Sequence, residues 1–143
     1  RVDEAALAQL LADDYFSQPP PKSLDRNAFT LSPVENLSVE DGAATLAAFT
    51  AAAVAKAQQA LPAPSLRWLV SGGGRHNRAI MAELRHRLSG AVEPVEAVGW
   101  RGDALEAQAF AFLAARSLAG LPLSYPQTTG VSRPVTGGVC HDP

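Results

Sequence analysis

Cysteine occurs once, at Cys140, so no disulfide can close within these residues and a reducing compartment fits. Aromatic residues make up only 6% of the sequence, and Ala and Leu supply much of the apolar content. Both lose little side-chain entropy in helices, which points to a helix-rich α/β chain. Charge of neither sign dominates: the formal net charge is −2. That excludes a strong overall pull toward nucleic acid or an anionic membrane. No apolar run approaches the roughly 20 residues of a membrane-spanning helix. The opening Arg1-Val2-Asp3-Glu4 has no basic flank followed by an apolar stretch, as a secretory signal would. It also has no initiator methionine, the only Met being Met81. The expectation is a cytoplasmic protein of which these residues are one part.

Several chemical motifs are missing as well. No Gly-Lys-Ser/Thr follows a glycine at Walker spacing, and Asn77 stands where a dinucleotide fingerprint needs glycine. The three histidines have no metal-ligand spacing with one another or with Cys140, so no metal site is assigned. No Ser/His/Asp or Cys/His arrangement stands out, and no catalytic residue is assigned.

What is present is a hydrophobic fraction of 47%, enough for one domain with a core. Helical spacing of Ala6, Leu10 and Leu11 predicts a helix over 1–16 whose pattern is already under way at Arg1. Pro19, Pro20 and Pro21 end it, and a long loop with Pro33 follows. Loops of that length are usually functional or disordered. Ser38 and Asp41 have N-cap spacing for a helix over 38–60, with Leu46, Phe49, Ala53, Val54, Ala57 and Leu61 as its apolar face. Residues 66–70 read as a strand, 76–88 as a helix, and 91–98 as a second strand weakened by Pro94. Asp103 and Glu106 have capping-box spacing for a helix over 103–119, which is apolar around most of its circumference and should be deeply buried. A last short strand is expected near Val135. The organisation is a single unit: residues 1–37 form a helix end and long loop, and 38–143 an α-β-α-β-α core with a tail. A βαβ unit implies parallel strands, and so few strands leave the sheet incomplete.

The main chemical signal is Ser71-Gly72-Gly73-Gly74 between a strand and a helix. Glycines let backbone approach a ligand closely, and the N–H groups opening the next helix favour an anion such as phosphate. A tight turn with no ligand is the plainer reading, but three adjacent glycines cost entropy that such a turn does not require. Arg75, His76, Arg78, Arg85, His86 and Arg87 make the following helix locally basic. With no aromatic platform interleaved, they read as a solvated face with one arginine near a phosphate. Glu106 has two open readings, a capping-box member or a carboxylate that bonds substrate hydroxyls. Lys22, Asp25 and Arg26 read by spacing alone as an exposed loop.

Four ordered blocks then carry a resemblance. Val70-Ser71-Gly72-Gly73-Gly74-Arg75-His76-Asn77 resembles the Gly-Gly-Gly-x-x-Asn segment of anhydro-N-acetylmuramic acid kinases. Asp103-Ala104-Leu105-Glu106-Ala107-Gln108-Ala109-Phe110-Ala111 resembles that family's Asp-x-x-Glu-Ala-x-Ala-Phe-Ala helix. Gly120-Leu121-Pro122 and Pro126-Gln127-Thr128-Thr129-Gly130 resemble its Gly-Leu-Pro and Pro-x-x-Thr-Gly close. Upstream, Pro21-Lys22-Ser23-Leu24-Asp25-Arg26-Asn27-Ala28-Phe29 is similar to its Pro-Lys-Ser-Thr-Gly-Arg-Glu-x-Phe segment, with Leu24, Asp25 and Asn27 departing from it.

The resemblance implies the C-terminal part of a ribonuclease-H-like lobe of the actin, hexokinase and heat-shock-chaperone ATPase superfamily. It implies a bacterial cytoplasmic homodimer that uses ATP and Mg²⁺ to convert anhydro-N-acetylmuramic acid to N-acetylmuramic acid 6-phosphate, opening the anhydro ring with water. By the same resemblance Gly72, Gly73, Gly74 and Asn77 would face the nucleotide and Glu106 the sugar, with Lys22 and Arg26 as loop contacts. The family's first phosphate motif and catalytic aspartate have no counterpart here, so the isolated residues are expected to be inactive. The competing readings are a non-catalytic or chaperone-like ATP-binding relative, and an interaction module with a structural glycine turn.

Overall fold

A computed structural model describes residues 1–141; the last two residues of the expected 38–143 core, and the side chain of Arg26, lie outside the described residues. The first helix, α1 (Glu4–Leu10), starts on its own cap: the Asp3 carboxylate accepts from the Ala6 N–H at 2.8 Å. The helical spacing upstream of Asp3 therefore does not extend the helix, and its last turn closes at Leu11. Helix α2 (Val39–Ala57) begins at Ser38, whose hydroxyl accepts from the Asp41 N–H at 3.1 Å, as the N-cap spacing predicts.

The buried stripe of α2 differs from the expected one. Gly42, Thr45, Ala48, Ala51 and Ala52 face inward, whereas Leu46, Phe49, Ala53 and Val54 are only half-buried. Small side chains win that face because α2 is packed on two sides, where short residues allow close approach. Leu7 of α1 meets Ala48 and Ala52 on one side. On the other, Ala51 packs with Met81, Leu84, Leu88 and Val92. Thr45 is fully buried yet satisfied, accepting from the Asp3 N–H at 2.9 Å and donating to the Asp41 carbonyl at 2.8 Å.

The long loop between α1 and α2 is ordered rather than structureless. It holds 3₁₀ turns at Asp14–Ser17, Arg26–Ala28 and Ser32–Val34. The Phe16, Phe29 and Phe49 rings meet with centroids 5.6 to 6.2 Å apart, which anchors the loop to α2.

Strands β1 (Arg67–Val70) and β2 (Ala91–Pro94) pair in parallel, Arg67 with Ala91 through Val70 with Pro94, and α3 (Arg78–Arg87) crosses between them. The chain is thus α/β and helix-rich with a short two-stranded parallel sheet. Pro94 ends β2 rather than weakening it, because it brings no N–H for the next rung. Residues 95–98, expected to continue the strand, turn into the 3₁₀ segment Val95–Val98, with Val95 buried.

Helix α4 (Leu105–Leu118) overturns a clear expectation: it has no buried residue. Phe110 is 64% exposed, Phe112 61% and Leu118 76%. Among the described residues, Leu123 and the tail residues Gly138–His141 line an open groove beside Phe110, Leu113 and Leu118 without burying them, and Ser117 donates to the Gly137 carbonyl. Gly120, with φ +66°, closes the helix as the Gly-Leu-Pro punctuation predicts, and the Leu121 N–H returns to the Arg116 carbonyl at 2.9 Å. A short helix, α5 (Pro126–Thr129), follows. The strand expected near Val135 is a single antiparallel bridge to Ser124.

Candidate functional site

Because β1 and β2 end in register at Val70 and Pro94, the segments that leave them emerge side by side. In open parallel sheets the groove beyond the carboxyl ends of the strands is where ligands bind. The segment leaving β1 is the glycine loop. The one leaving β2 is the 3₁₀ turn that carries Glu96, followed by Gly102, Asp103 and α4.

Gly72 turns the loop with φ +72° and ψ 177°, a conformation that strains any residue with a β-carbon. From there the 3₁₀ turn Gly73–His76 leads to Asn77. Asn77 is the N-cap of α3: its Oδ1 accepts from the N–H groups of Ala79 at 3.0 Å and Ile80 at 3.2 Å. The helix therefore begins two residues later than expected. Asn77→Ala should cost about 0.5–2 kcal/mol of folding stability and Asn77→Asp much less, as chemical denaturation would measure. An alanine variant as stable as the parent would contradict the cap.

The loop itself is exposed and sterically idle. A β-carbon added at Gly73 or Gly74 would meet no atom of the chain within 4 Å. Among the described residues their N–H groups find no acceptor, as expected of the first turn of a helix. Packing therefore does not explain why these positions lack side chains.

Arg75 departs from the solvated basic face expected for this stretch. Its side chain is 2% exposed. Its Nη1 donates to the Gly72 carbonyl at 2.9 Å, Nε to Glu96 Oε1 at 3.0 Å, and Nη2 to Asp103 Oδ1 at 2.7 Å. Glu96 Oε1 also accepts from the Gly102 N–H at 3.2 Å. The carboxyls stay wetter than the guanidinium: Glu96 is 47% exposed and Asp103 82%. Hydrogen bonding from Arg75 holds both below the ordinary carboxylate range, and Asp103, then Glu96, raises Arg75 above its usual value. His76 Nε2 stands 3.7 Å from Asp103.

That network removes the capping box. Asp103 is spent on Arg75, and α4 has Ala104 at its N-cap position, with no side-chain cap. Capping would give the carboxylate one backbone N–H, whereas Arg75 offers it a full opposite charge that is buried and needs a partner. Glu106 is left exposed in the first turn of α4, and among the described residues its carboxylate makes no hydrogen bond. Lys22 lies elsewhere and is occupied locally: its Nζ donates to the Tyr15 carbonyl at 2.6 Å and sits 4.6 Å from that ring's centre. Asp25 caps the turn after it, accepting from the Asn27 N–H at 2.8 Å. Of the sequence-derived candidates, then, the glycines and Asn77 share one loop, Glu106 follows the segment Arg75 ties to it, and Lys22 stands apart. Sequence spacing missed the Arg75, Glu96 and Asp103 cluster because its pairs are 21 and 28 residues apart.

Comparison with known proteins speaks to the same residues. The family model described as anhydro-N-acetylmuramic acid kinase matches residues 1–142. A protein of that name from Rhodospirillum rubrum is 66% identical over 138 residues, covering 96% of this chain and 37% of its own length. Others named so, from Acidiphilium cryptum and Rhizorhabdus wittichii, are 60% and 54% identical, covering 96% and 99% of this chain and 39% of their own lengths. The chain thus spans about two-fifths of the length of these curated relatives. On the match over residues 1–142, the chain belongs to the anhydro-N-acetylmuramic acid kinase family.

Proposed function

We propose that these residues form the nucleotide-side wall of a two-lobed sugar kinase of the actin-like ATPase superfamily. The observation that carries this reading is the open glycine loop at the carboxyl edge of parallel strands, its Gly73 and Gly74 N–H groups without acceptors among the described residues. Such N–H groups, with the positive end of the following α3 dipole, favour the phosphates of ATP. Absence of side chains at Gly73 and Gly74 lets those phosphates reach the backbone. Glu106, exposed and without a hydrogen bond among the described residues, would accept hydrogen bonds from hydroxyls of the sugar. Asn77 orients α3 as its cap and keeps its side-chain amide N–H available to the nucleotide.

The substrate in this reading is anhydro-N-acetylmuramic acid, opened by water and phosphorylated to N-acetylmuramic acid 6-phosphate in the recycling of cell-wall sugar in the bacterial cytoplasm, by a homodimer. Phosphoryl transfer needs a metal to neutralise the developing charge. Among the described residues no group of three His, Cys, Asp or Glu side chains could hold an ion. Mg²⁺ would be carried by the ATP phosphates, and the aspartate that activates the nucleophile would come from outside these residues. The remaining length would also cover α4, whose exposed Phe110, Phe112 and Leu118 are distributed around the helix rather than along one side. No helix of the described residues is long and apolar enough to cross a membrane.

The test is product analysis with the full-length protein, ATP, Mg²⁺ and the anhydrosugar in ¹⁸O-labelled water. The expected outcome is ADP and sugar 6-phosphate in equal amounts, with one ¹⁸O at the opened anomeric carbon. ATP binding or hydrolysis without phosphorylated sugar would overturn the kinase reading and favour a chaperone-like relative.

A further inference from the structure

We propose that Arg75 is a positioning residue that makes the nucleotide wall and the sugar-side helix move as one unit. The proposal rests on the reading of the glycine loop and Glu106 given above. Arg75 is the buried charged side chain among the described residues, and its guanidinium bonds span three segments. One bond fixes the carbonyl of Gly72, the residue whose positive φ aims the N–H groups of Gly73 and Gly74. A second reaches Asp103, three residues before Glu106. The third reaches Glu96, which in turn holds the Gly102 N–H.

The space around the strut is fitted to it. A β-carbon at Gly102 would fall 2.5 Å from Arg75 Nε and 2.7 Å from Glu96 Oε1. Gly102 is buried, so the turn before α4 is closed down onto the guanidinium. Only the planar fork of arginine can bond a carbonyl and two carboxylates at once; lysine offers a point charge on a flexible stem. A displacement of the loop as phosphate binds is thereby transmitted to the start of α4, and a sugar held at Glu106 steadies the loop. The consequence is reciprocal: each ligand raises the affinity for the other by the same factor.

The experiment measures the Kd of ATP·Mg²⁺ for the full-length protein, without and with saturating anhydrosugar. Wild type, Arg75→Lys and the double variant Glu96→Gln/Asp103→Asn are compared. Asp103 is 82% exposed and its loss leaves Glu96 paired with the buried guanidinium, so the single variant Asp103→Asn, added to the comparison, remains folded even if the others do not. The wild type should bind ATP more tightly with sugar present, and in each folded variant that ratio should fall to near one. Loss of a charge-assisted bond should also weaken ATP binding about tenfold. A wild-type ratio of one, or a ratio retained in the folded variants, overturns the proposal while leaving the nucleotide site standing. Failure of the wild type to bind ATP overturns the nucleotide reading itself and this proposal with it.

Discussion

Gly73→Val in the full-length protein should raise the Kd for ATP·Mg²⁺ by about a hundredfold or more, roughly 3 kcal/mol, and leave folding stability nearly unchanged. The two halves of that result have separate causes. Within these residues the new side chain has open space, since a β-carbon at Gly73 meets nothing within 4 Å. Gly73 also lies outside the left-handed region, which in this loop holds only Gly72. In the proposed site the isopropyl group would instead occupy the volume a phosphate must enter to reach the N–H groups of Gly73 and Gly74. Gly72→Val serves as the contrast, because its φ of +72° adds backbone strain and should lower stability as well. Denaturation midpoints beside titration calorimetry separate the two variants. Undiminished ATP binding by Gly73→Val would remove the loop from the site.

Gly102→Val should be the most disruptive single change to the frame of the site. Its β-carbon would lie 2.6 Å from Arg75 Cζ and 2.7 Å from Glu96 Oε1, so something must move. The guanidinium is the flexible end and yields first, leaving its buried position. Overpacking of this kind costs about 1–3 kcal/mol. The pH profile identifies which contact was lost. Arg75 holds the Glu96 and Asp103 carboxyls below their ordinary range, so both contribute stability above the unfolded carboxylate values. That contribution is fully present above the unfolded values, roughly pH 4 to 4.5, and fades as pH falls through the lowered native ones. With Arg75 displaced, this acid-side decline should flatten in Gly102→Val. An equally steep decline in variant and parent would mean the ion pairs survive the substitution.

Much of the local structure was legible because local chemistry decides it. Ser38 caps α2 as its spacing with Asp41 suggests, and Gly120 closes α4 where the pattern stops. The glycine loop falls between a strand and a helix as read. Features that depend on distant partners were not legible. Asp103 looked like a helix cap but serves Arg75, 28 residues away. The inward face of α2 is set by what packs on both its sides, so Ala48 and Ala51 displace the larger Leu46 and Phe49 from the deepest positions. Helix α4 carries the composition of a buried helix without a partner among the described residues, and composition alone cannot name the partner. For the site, the sequence marked Gly72, Gly73, Gly74 and Asn77 as one loop, and the structure adds that Asn77 also caps α3. Lys22 illustrates the limit: its match to a family segment said nothing of the Tyr15 carbonyl that occupies it.

The most direct measurement is a crystal structure of the full-length protein with Mg²⁺ and a non-hydrolysable ATP analogue. Phosphate oxygens should lie about 2.7–3.2 Å from the backbone nitrogens of Gly73 and Gly74, with Arg75 still bonded to the Gly72 carbonyl. Nucleotide phosphates seated away from this loop, or the loop covered by another part of the polypeptide, would contradict the account.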